Sequence, residues 1–180
     1  MRKLFVSNVM SLDGFFETPE RKLDWCVADE EFFSYARAML RSMDTILFGR
    51  RTYQHMAAYW PTAPKDEIAE KMNNLRKIVF SRTLAKAEWN NSTLVSGDIA
   101  GEVRRLKQQA GKDMVILGSA MLASFLLQQG QIDEYRVIVN PVLLGRGNSL
   151  FPDIKQPVTM KLNETKLFGS GVAVLYYQKV

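Results

Sequence analysis

The chain has 180 residues, 47% of them hydrophobic and 24% charged, enough for one well-buried core and short for two. Its net charge of +5 is scattered instead of gathered into a basic block, and no aromatic-basic ribonucleoprotein motif accompanies it, which excludes nucleic acid as the expected partner. No run reaches the roughly 18–20 apolar residues of a bilayer span, so no membrane partner is expected and a cytoplasmic location is. One cysteine, Cys26, and one histidine, His55, exclude an internal disulfide, a multi-ligand metal centre and a histidine-based triad.

The amino-terminal segment Lys3–Met10 alternates polar and apolar residues as a strand does, not as a secretory leader does, and Asp13-Gly14 closes it with a turn. Phe32, Phe33, Ala36, Met39, Leu40 and Met43 recur at helical spacing, with Asp29, Glu30 and Glu31 where carboxylates favour a helix start. Thr45–Phe48 reads as a second strand, Asp66–Leu75 as a helix, Lys77–Ser81 as a third strand and Thr93–Val95 as a fourth. Asp98 caps a helix carrying Ile99, Val103 and Leu106, which Gly111 is expected to end. Met114–Leu117 runs into Gly118-Ser119 and a helix marked by Met121, Leu122, Phe125 and Leu126. Glu134–Asn140, Val158–Phe168 and Val172–Gln178 read as strands, the last two joined as a hairpin through Gly169-Ser170-Gly171. The order predicts a single three-layer α/β domain over residues 1–180. Its sheet is mixed but mostly parallel, with an antiparallel carboxy-terminal hairpin and helices on both faces.

Ligands of such sheets collect beyond the carboxyl ends of strands, so chemistry is sought just after each strand. Gly49-Arg50-Arg51-Thr52 offers close backbone approach, two forked cations and a hydroxyl, all suited to phosphate. Ser81-Arg82 carries the donors that favour a ribose 2′-phosphate, where an acidic residue would favour the free hydroxyl; this points to NADPH over NADH. Gly118-Ser119-Ala120-Met121 joins a strand to a helix start and presents unpaired amides to an anion. Asp29, beside Trp25 and one turn before Phe33, is a candidate proton donor to a flat heterocycle or else a plain helix cap, with Glu30 the alternative if the register shifts. His55 reads as a helix-surface or pocket-rim residue, and Cys26 as a small buried one.

Met10-Ser11-Leu12-Asp13-Gly14, Ile46-Leu47-Phe48-Gly49-Arg50-Arg51-Thr52, Ile116-Leu117-Gly118-Ser119 and Asn140-Pro141-Val142-Leu143-Leu144-Gly145-Arg146-Gly147 occur in this order. Together they resemble the dihydrofolate reductase superfamily, in particular its stand-alone branch related to the reductase domain of the bifunctional riboflavin deaminase–reductase. The resemblance implies an NADPH-dependent reductase of a small heterocycle, either pterin-like or 5-amino-6-(5-phosphoribosylamino)uracil-like. It implies cofactor contacts at Gly49, Arg50, Thr52, Ser81, Arg82, Gly118, Ser119, Ala120 and Met121, and substrate contacts at Trp25, Asp29 and Phe33. Asp13 becomes an alternative catalytic group to Asp29. A homodimer is implied, with the late strands and the Pro141–Gly147 loop as its contact or as a pocket wall. The Asp-Asp-Pro run of riboflavin reductases does not follow Thr52. A non-catalytic nucleotide- or pterin-binding module on the same fold is the competing reading.

Overall fold

The computed structural model describes residues Met1–Val180. Its first half runs β1 (Leu4–Ser11), β2 (Phe15–Glu17), α1 (Glu30–Ser42), β3 (Met43–Gly49), α2 (Arg50–Tyr59), a 3-10 turn at Trp60–Thr62, α3 (Glu67–Asn74) and β4 (Arg76–Phe80). The second half runs β5 (Ser92–Val95), α4 (Ile99–Gln108), β6 (Asp113–Leu117), α5 (Ala120–Gln128), β7 (Glu134–Asn140), β8 (Asn148–Ser149), β9 (Met160–Leu167) and β10 (Ala173–Lys179). Eight strands form one sheet in the order β5-β4-β3-β6-β1-β7-β10-β9, and β2 and β8 form a separate two-stranded ribbon. All neighbours from β5 to β7 pair in parallel; β10 alone runs antiparallel to both its neighbours, β7 and β9. No helix is long and apolar enough to cross a membrane.

Successive residues of a strand face opposite sides of a sheet, and the central strands use both sides for burial. Phe5, Ile46, Phe48, Val79 and Val115 face a layer made by α1, α2 and α3 through Tyr35, Met39, Leu40, Tyr53 and Met72. Leu4, Val6, Leu47, Ile78, Phe80, Met114 and Ile116 face α4 and α5 through Val103, Leu106, Leu122, Ala123 and Leu126. Three layers result, as the chain order predicts. Each fully buried aliphatic side chain contributes about 1.5–3 kcal/mol, so both faces of the strands stabilise the sheet that carries the loops.

Several local expectations need correction. Met43 does not extend the first helix: it is the first residue of β3, with extended φ −125° and ψ 168°, and Tyr35 is buried where Phe33 was expected to be. The ten-residue helix α2 occupies a stretch with no clean apolar period, because only Tyr53 of it is buried. Gly111 does not terminate α4, which stops at Gln108. Instead, Gly111 at φ +148° packs so closely on Arg2 that a Cβ would lie 3.1 Å from its guanidinium carbon. Glu134–Asn140 is the strand the sequence predicts, parallel to β1 on one side and antiparallel to β10 on the other.

One buried charge supports the layer beneath α2 and α3. Lys77 is fully buried, and its Nζ donates to the carbonyls of Asn73 (2.9 Å), Leu75 (2.8 Å) and Asn90 (3.0 Å) while lying 4.3 Å from the centre of the Trp89 ring. Burial pulls its ammonium down to about 8 from 10.5. The unfolded chain then binds more protons than the folded one between those values, so this group adds stability as pH rises through that window. Lys77→Met leaves three carbonyls without their donor and is expected to cost about 1–3 kcal/mol. Denaturant midpoints measured on either side of the window check both statements: the wild type gains more stability with rising pH than the variant does.

Candidate functional site

Parallel pairing brings the carboxyl ends of β4, β3 and β6 side by side, with Phe80 opposite Gly49 and Leu47 opposite Ile116. The loops at Ser81–Arg82, Gly49–Thr52 and Gly118–Met121 therefore leave adjacent strands from one edge of the sheet. β1 follows, with Ser7 opposite Leu117, and then β7, with Asn140 opposite Ser11.

The β3–α2 and β6–α5 turns are locked together. The Gly49 amide donates to Ser119 Oγ (2.9 Å), and the Ser119 amide donates to Thr52 Oγ1 (3.0 Å). Gly118 has φ +71°, and a Cβ there would lie 2.8 Å from Thr52 Cγ2, so the glycine is required by both conformation and space. Ser119 also adopts the left-handed region, φ 33° and ψ 54°, at a cost of about 1–2 kcal/mol for a residue with a Cβ. Its two hydrogen bonds hold it there. Asn8 Nδ2 donates to the Gly118 carbonyl (3.2 Å) from the neighbouring strand.

This lock leaves two helix starts open. α1, α3 and α4 are capped by Asp29, Asp66 and Asp98, which accept from the amides of Phe32 (2.8 Å), Ala69 (2.7 Å) and Gly101 (2.9 Å). α2 and α5 have no side-chain cap, because the residue before α2 is Gly49 and the Ser119 hydroxyl before α5 is engaged by the Gly49 amide. Their first-turn amides, with the positive ends of two helix dipoles, are free for an anion. Arg50, Arg51 and Arg82 are exposed beside them and belong to none of the ion pairs. Ser81 Oγ accepts from the amides of Thr83 (3.1 Å) and Leu84 (2.9 Å), shaping the turn that carries Arg82. At the start of α5, Ala120 is buried and Met121 is 64% exposed.

The β1–β7 side carries the other candidates. Trp25 is half-buried, with Nε1 donating to the Lys22 carbonyl (3.2 Å), and Phe33 stands partly exposed, edge-on to Phe32. Asp29 is a helix cap here. The Ser170 hydroxyl and the Phe32 amide hold its carboxyl below the usual carboxylate range, a state that accepts protons poorly at neutral pH and has none to donate. Glu30 points away into an ion pair with Arg37. Asp13 ties two loops: Ser11 Oγ donates to it (2.7 Å), as do the amides of Leu144 (3.1 Å) and Gly145 (2.7 Å), and these contacts hold its carboxyl down to about 2. Burial pushes the Cys26 thiol up to about 11, while His55 is exposed on α2.

Two asparagines of this edge were given no site role by the sequence. Asn140 is 1% exposed, and its Oδ1 accepts from the Val27 amide (2.8 Å), anchoring the Trp25–Asp29 loop to β7; Asn8 braces Gly118. Asn140 opens the Asn140–Gly147 motif, but neither that motif nor a lone asparagine within β1 shows which amide or carbonyl the side chain will meet. Two surface concavities lie elsewhere, one between α2 and Trp89 lined by Tyr53, Ala57, Pro61 and Lys86, the other beside α3 from Thr62 to Asn73; neither includes a strand-end candidate. No group of three or more His, Cys, Asp or Glu side chains gathers where it could hold a metal ion.

The three layers and the strand order define a dihydrofolate-reductase-like α/β protein. More narrowly, the chain belongs to the RibD C-terminal domain family, whose sequence profile matches residues 2–174. It is 33% identical over 182 residues to the uncharacterized Bacillus subtilis protein YyaP, covering 98% of this chain and 94% of that one. It is 28% identical over 177 residues to YwjB of the same organism, also uncharacterized, covering 97% of each. A crystal structure of a Shewanella sp. PV-4 protein ascribed to riboflavin biosynthesis shares the fold with a TM-score of 0.79 at 19% identity, over 99% of both chains. The Thermotoga maritima diaminohydroxyphosphoribosylaminopyrimidine deaminase/5-amino-6-(5-phosphoribosylamino)uracil reductase does so with a TM-score of 0.71 at 16% identity, over 99% of this chain and 57% of that one.

Gly118→Ala tests the lock. It is expected to cost about 1–2 kcal/mol for the left-handed backbone alone, and more because the new Cβ meets Thr52 Cγ2. Introducing Thr52→Ser as well removes that methyl while keeping the hydroxyl, so denaturant unfolding of the double variant is expected to recover part of the loss.

Proposed function

We propose that this chain is an NADPH-dependent reductase of a small nitrogen heterocycle. The observation that carries the reading is the pair of uncapped helix starts held side by side at Gly49–Thr52 and Gly118–Met121. Adjacent amides and unpaired guanidiniums suit a diphosphate, and a separate arginine at the next strand end suits an additional phosphate. A Cβ at Gly118 would also fill the junction between the two turns. The residues therefore fit a phosphorylated dinucleotide.

In this reading Gly49, Arg50 and Thr52 hold one side of the diphosphate. Ser119, Ala120 and Met121 hold its other side and the approach to the nicotinamide, with Gly118 allowing close contact. Ser81 and Arg82 take the 2′-phosphate. When bound, NADPH supplies the hydride that reduces a C=N or C=O bond. The chain's own residues orient the partners: Trp25 and Phe33 border the ring, and Asn140 holds the loop that carries Trp25 by accepting the Val27 amide. Asp29 and Asp13 are both committed as hydrogen-bond acceptors, so the proton that completes the reduction comes from solvent water. Family membership supports an aminopyrimidine- or pterin-like ring as substrate. The same reading includes a homodimer, which sedimentation velocity checks.

NADPH at a hundredfold excess over its Kd is expected to stabilise the fold by about 2.7 kcal/mol, read as a raised melting temperature. Arg82→Ala is expected to weaken NADPH by about tenfold while leaving NADH nearly unchanged. Equal weakening of both nucleotides contradicts the role given to Arg82, and no thermal shift at millimolar NADPH contradicts the reading as a whole.

A further inference from the structure

Four buried polar side-chain atoms have no hydrogen-bond partner in the protein: Asn8 Oδ1 and the hydroxyl oxygens of Tyr35, Ser92 and Ser124. A hydroxyl can turn its proton toward a neighbour, whereas an amide oxygen can only accept, and a buried acceptor left unpaired is costly. Asn8 is 6% exposed. The end of its amide that faces the Gly118 carbonyl (3.2 Å) must be the nitrogen, since a carbonyl only accepts. The free end is therefore the oxygen, and what it lacks is a donor.

Its place in the sheet says where that donor comes from. Leu4 and Val6 of β1 pack in the layer of α4 and α5, and alternation along the strand turns Asn8 to the same face. β6 ends at Leu117, opposite Ser7, while β1 runs on to Ser11 beside β7 alone. Asn8 is thus the first residue of β1 past the end of β6, level with the turn into α5. The two ends of one amide are about 2.3 Å apart, which keeps Oδ1 within about 5.5 Å of the Gly118 carbonyl oxygen. The unpaired acceptor lies beside the uncapped start of α5, one strand beyond the two locked turns.

In the reductase reading the 2′-phosphate lies beyond β4 and the diphosphate beyond β3 and β6. Next along the dinucleotide comes the nicotinamide riboside, and next along the sheet comes β1. We infer that Asn8 holds the cofactor's reactive end: its Oδ1 accepts a hydrogen bond from the carboxamide NH2 of the nicotinamide, while its Nδ2 keeps the Gly118 carbonyl. The inference rests on the reductase reading and deepens it by one residue. One side-chain amide then sets both the turn that meets the diphosphate and the acceptor that meets the carboxamide. A carboxamide anchored in this way stops the ring from turning, so one face of it is presented to the substrate.

Two analogues of NADP+ isolate the contact. 3-Acetylpyridine adenine dinucleotide phosphate carries a methyl group in place of the carboxamide NH2, and 2′-phospho-ADP-ribose has no nicotinamide. Calorimetric titration of the wild type is expected to show NADP+ bound about fivefold more tightly than the acetylpyridine analogue. Asn8→Leu, similar in shape but without the acceptor, is expected to bind those two equally. It is expected to hold 2′-phospho-ADP-ribose as the wild type does, because the Ser119–Thr52 lock remains. Equal binding of NADP+ and the acetylpyridine analogue by the wild type overturns the inference, and this comparison decides even if the variant fails to fold. A preference for NADP+ that survives in Asn8→Leu also overturns it. So does an equal loss of NADP+ and 2′-phospho-ADP-ribose in the variant, since Asn8 then serves the turn alone. These outcomes leave the reductase reading standing while the wild type binds NADP+; no binding at millimolar NADP+ overturns that reading and this inference with it.

Discussion

Two hydroxyls determine what the rest of the edge can do. Ser119 stands at the cap position of α5 and Thr52 in the first turn of α2, and both are engaged across the junction, Ser119 Oγ with the Gly49 amide and Thr52 Oγ1 with the Ser119 amide. The exchange fixes the distance between two helix starts and leaves their first-turn amides unpaired. Strain at Ser119 and the tight approach of Gly118 to Thr52 are tolerated because the sheet beneath is rigid: β3 and β6 are paired strands buried on both faces. A site that must meet charged oxygens with backbone amides needs such support, since amides cannot turn toward a ligand as side chains can.

The strand order distributes the chemistry. With β3 flanked by β4 and β6, three cationic or amide-rich strand ends become neighbours although they are separated by about a third of the sequence. With β1 and β7 placed next, the aromatic and aliphatic residues of the 12–33 and 140–145 segments fall on the far side of the same edge. Asp13 and Asn140 serve that second half as ties, each joining a strand-end loop to another segment. A carboxylate that accepts three donors, as Asp13 does, is a good fastener and a poor acid. Asp29 is in the same position, so the acid–base part of the reduction falls to water in this account.

Much of the architecture was readable in the sequence because strands buried on both faces give continuous apolar runs, as at Ile46–Phe48 and Met114–Ile116, and because Asp66 and Asp98 are ordinary caps that mark their helices. The glycines and arginines after these strands were visible for the same reason: short strands ending in Gly49 and Gly118 are well bounded. Helix α2 had no bounds in the sequence reading beyond a helix-surface alternative for His55, since a helix with one buried residue has almost no apolar period to detect. The direct passage from α1 to β3 at Met43 was hidden because a methionine suits either element. For Asp29 the sequence left helix cap and proton donor open, and only the position of the Phe32 amide decides for the cap. The lock itself is a pairing between residues 67 and 70 apart, which no local pattern can reveal.

The most direct test is a crystal structure of the chain with NADP+ bound. Diphosphate oxygens are expected within hydrogen-bond reach of the first-turn amides of α2 and α5, with the 2′-phosphate against Arg82. A nucleotide seated in the concavity between α2 and Trp89, or anywhere else away from the ends of β4, β3 and β6, would contradict it.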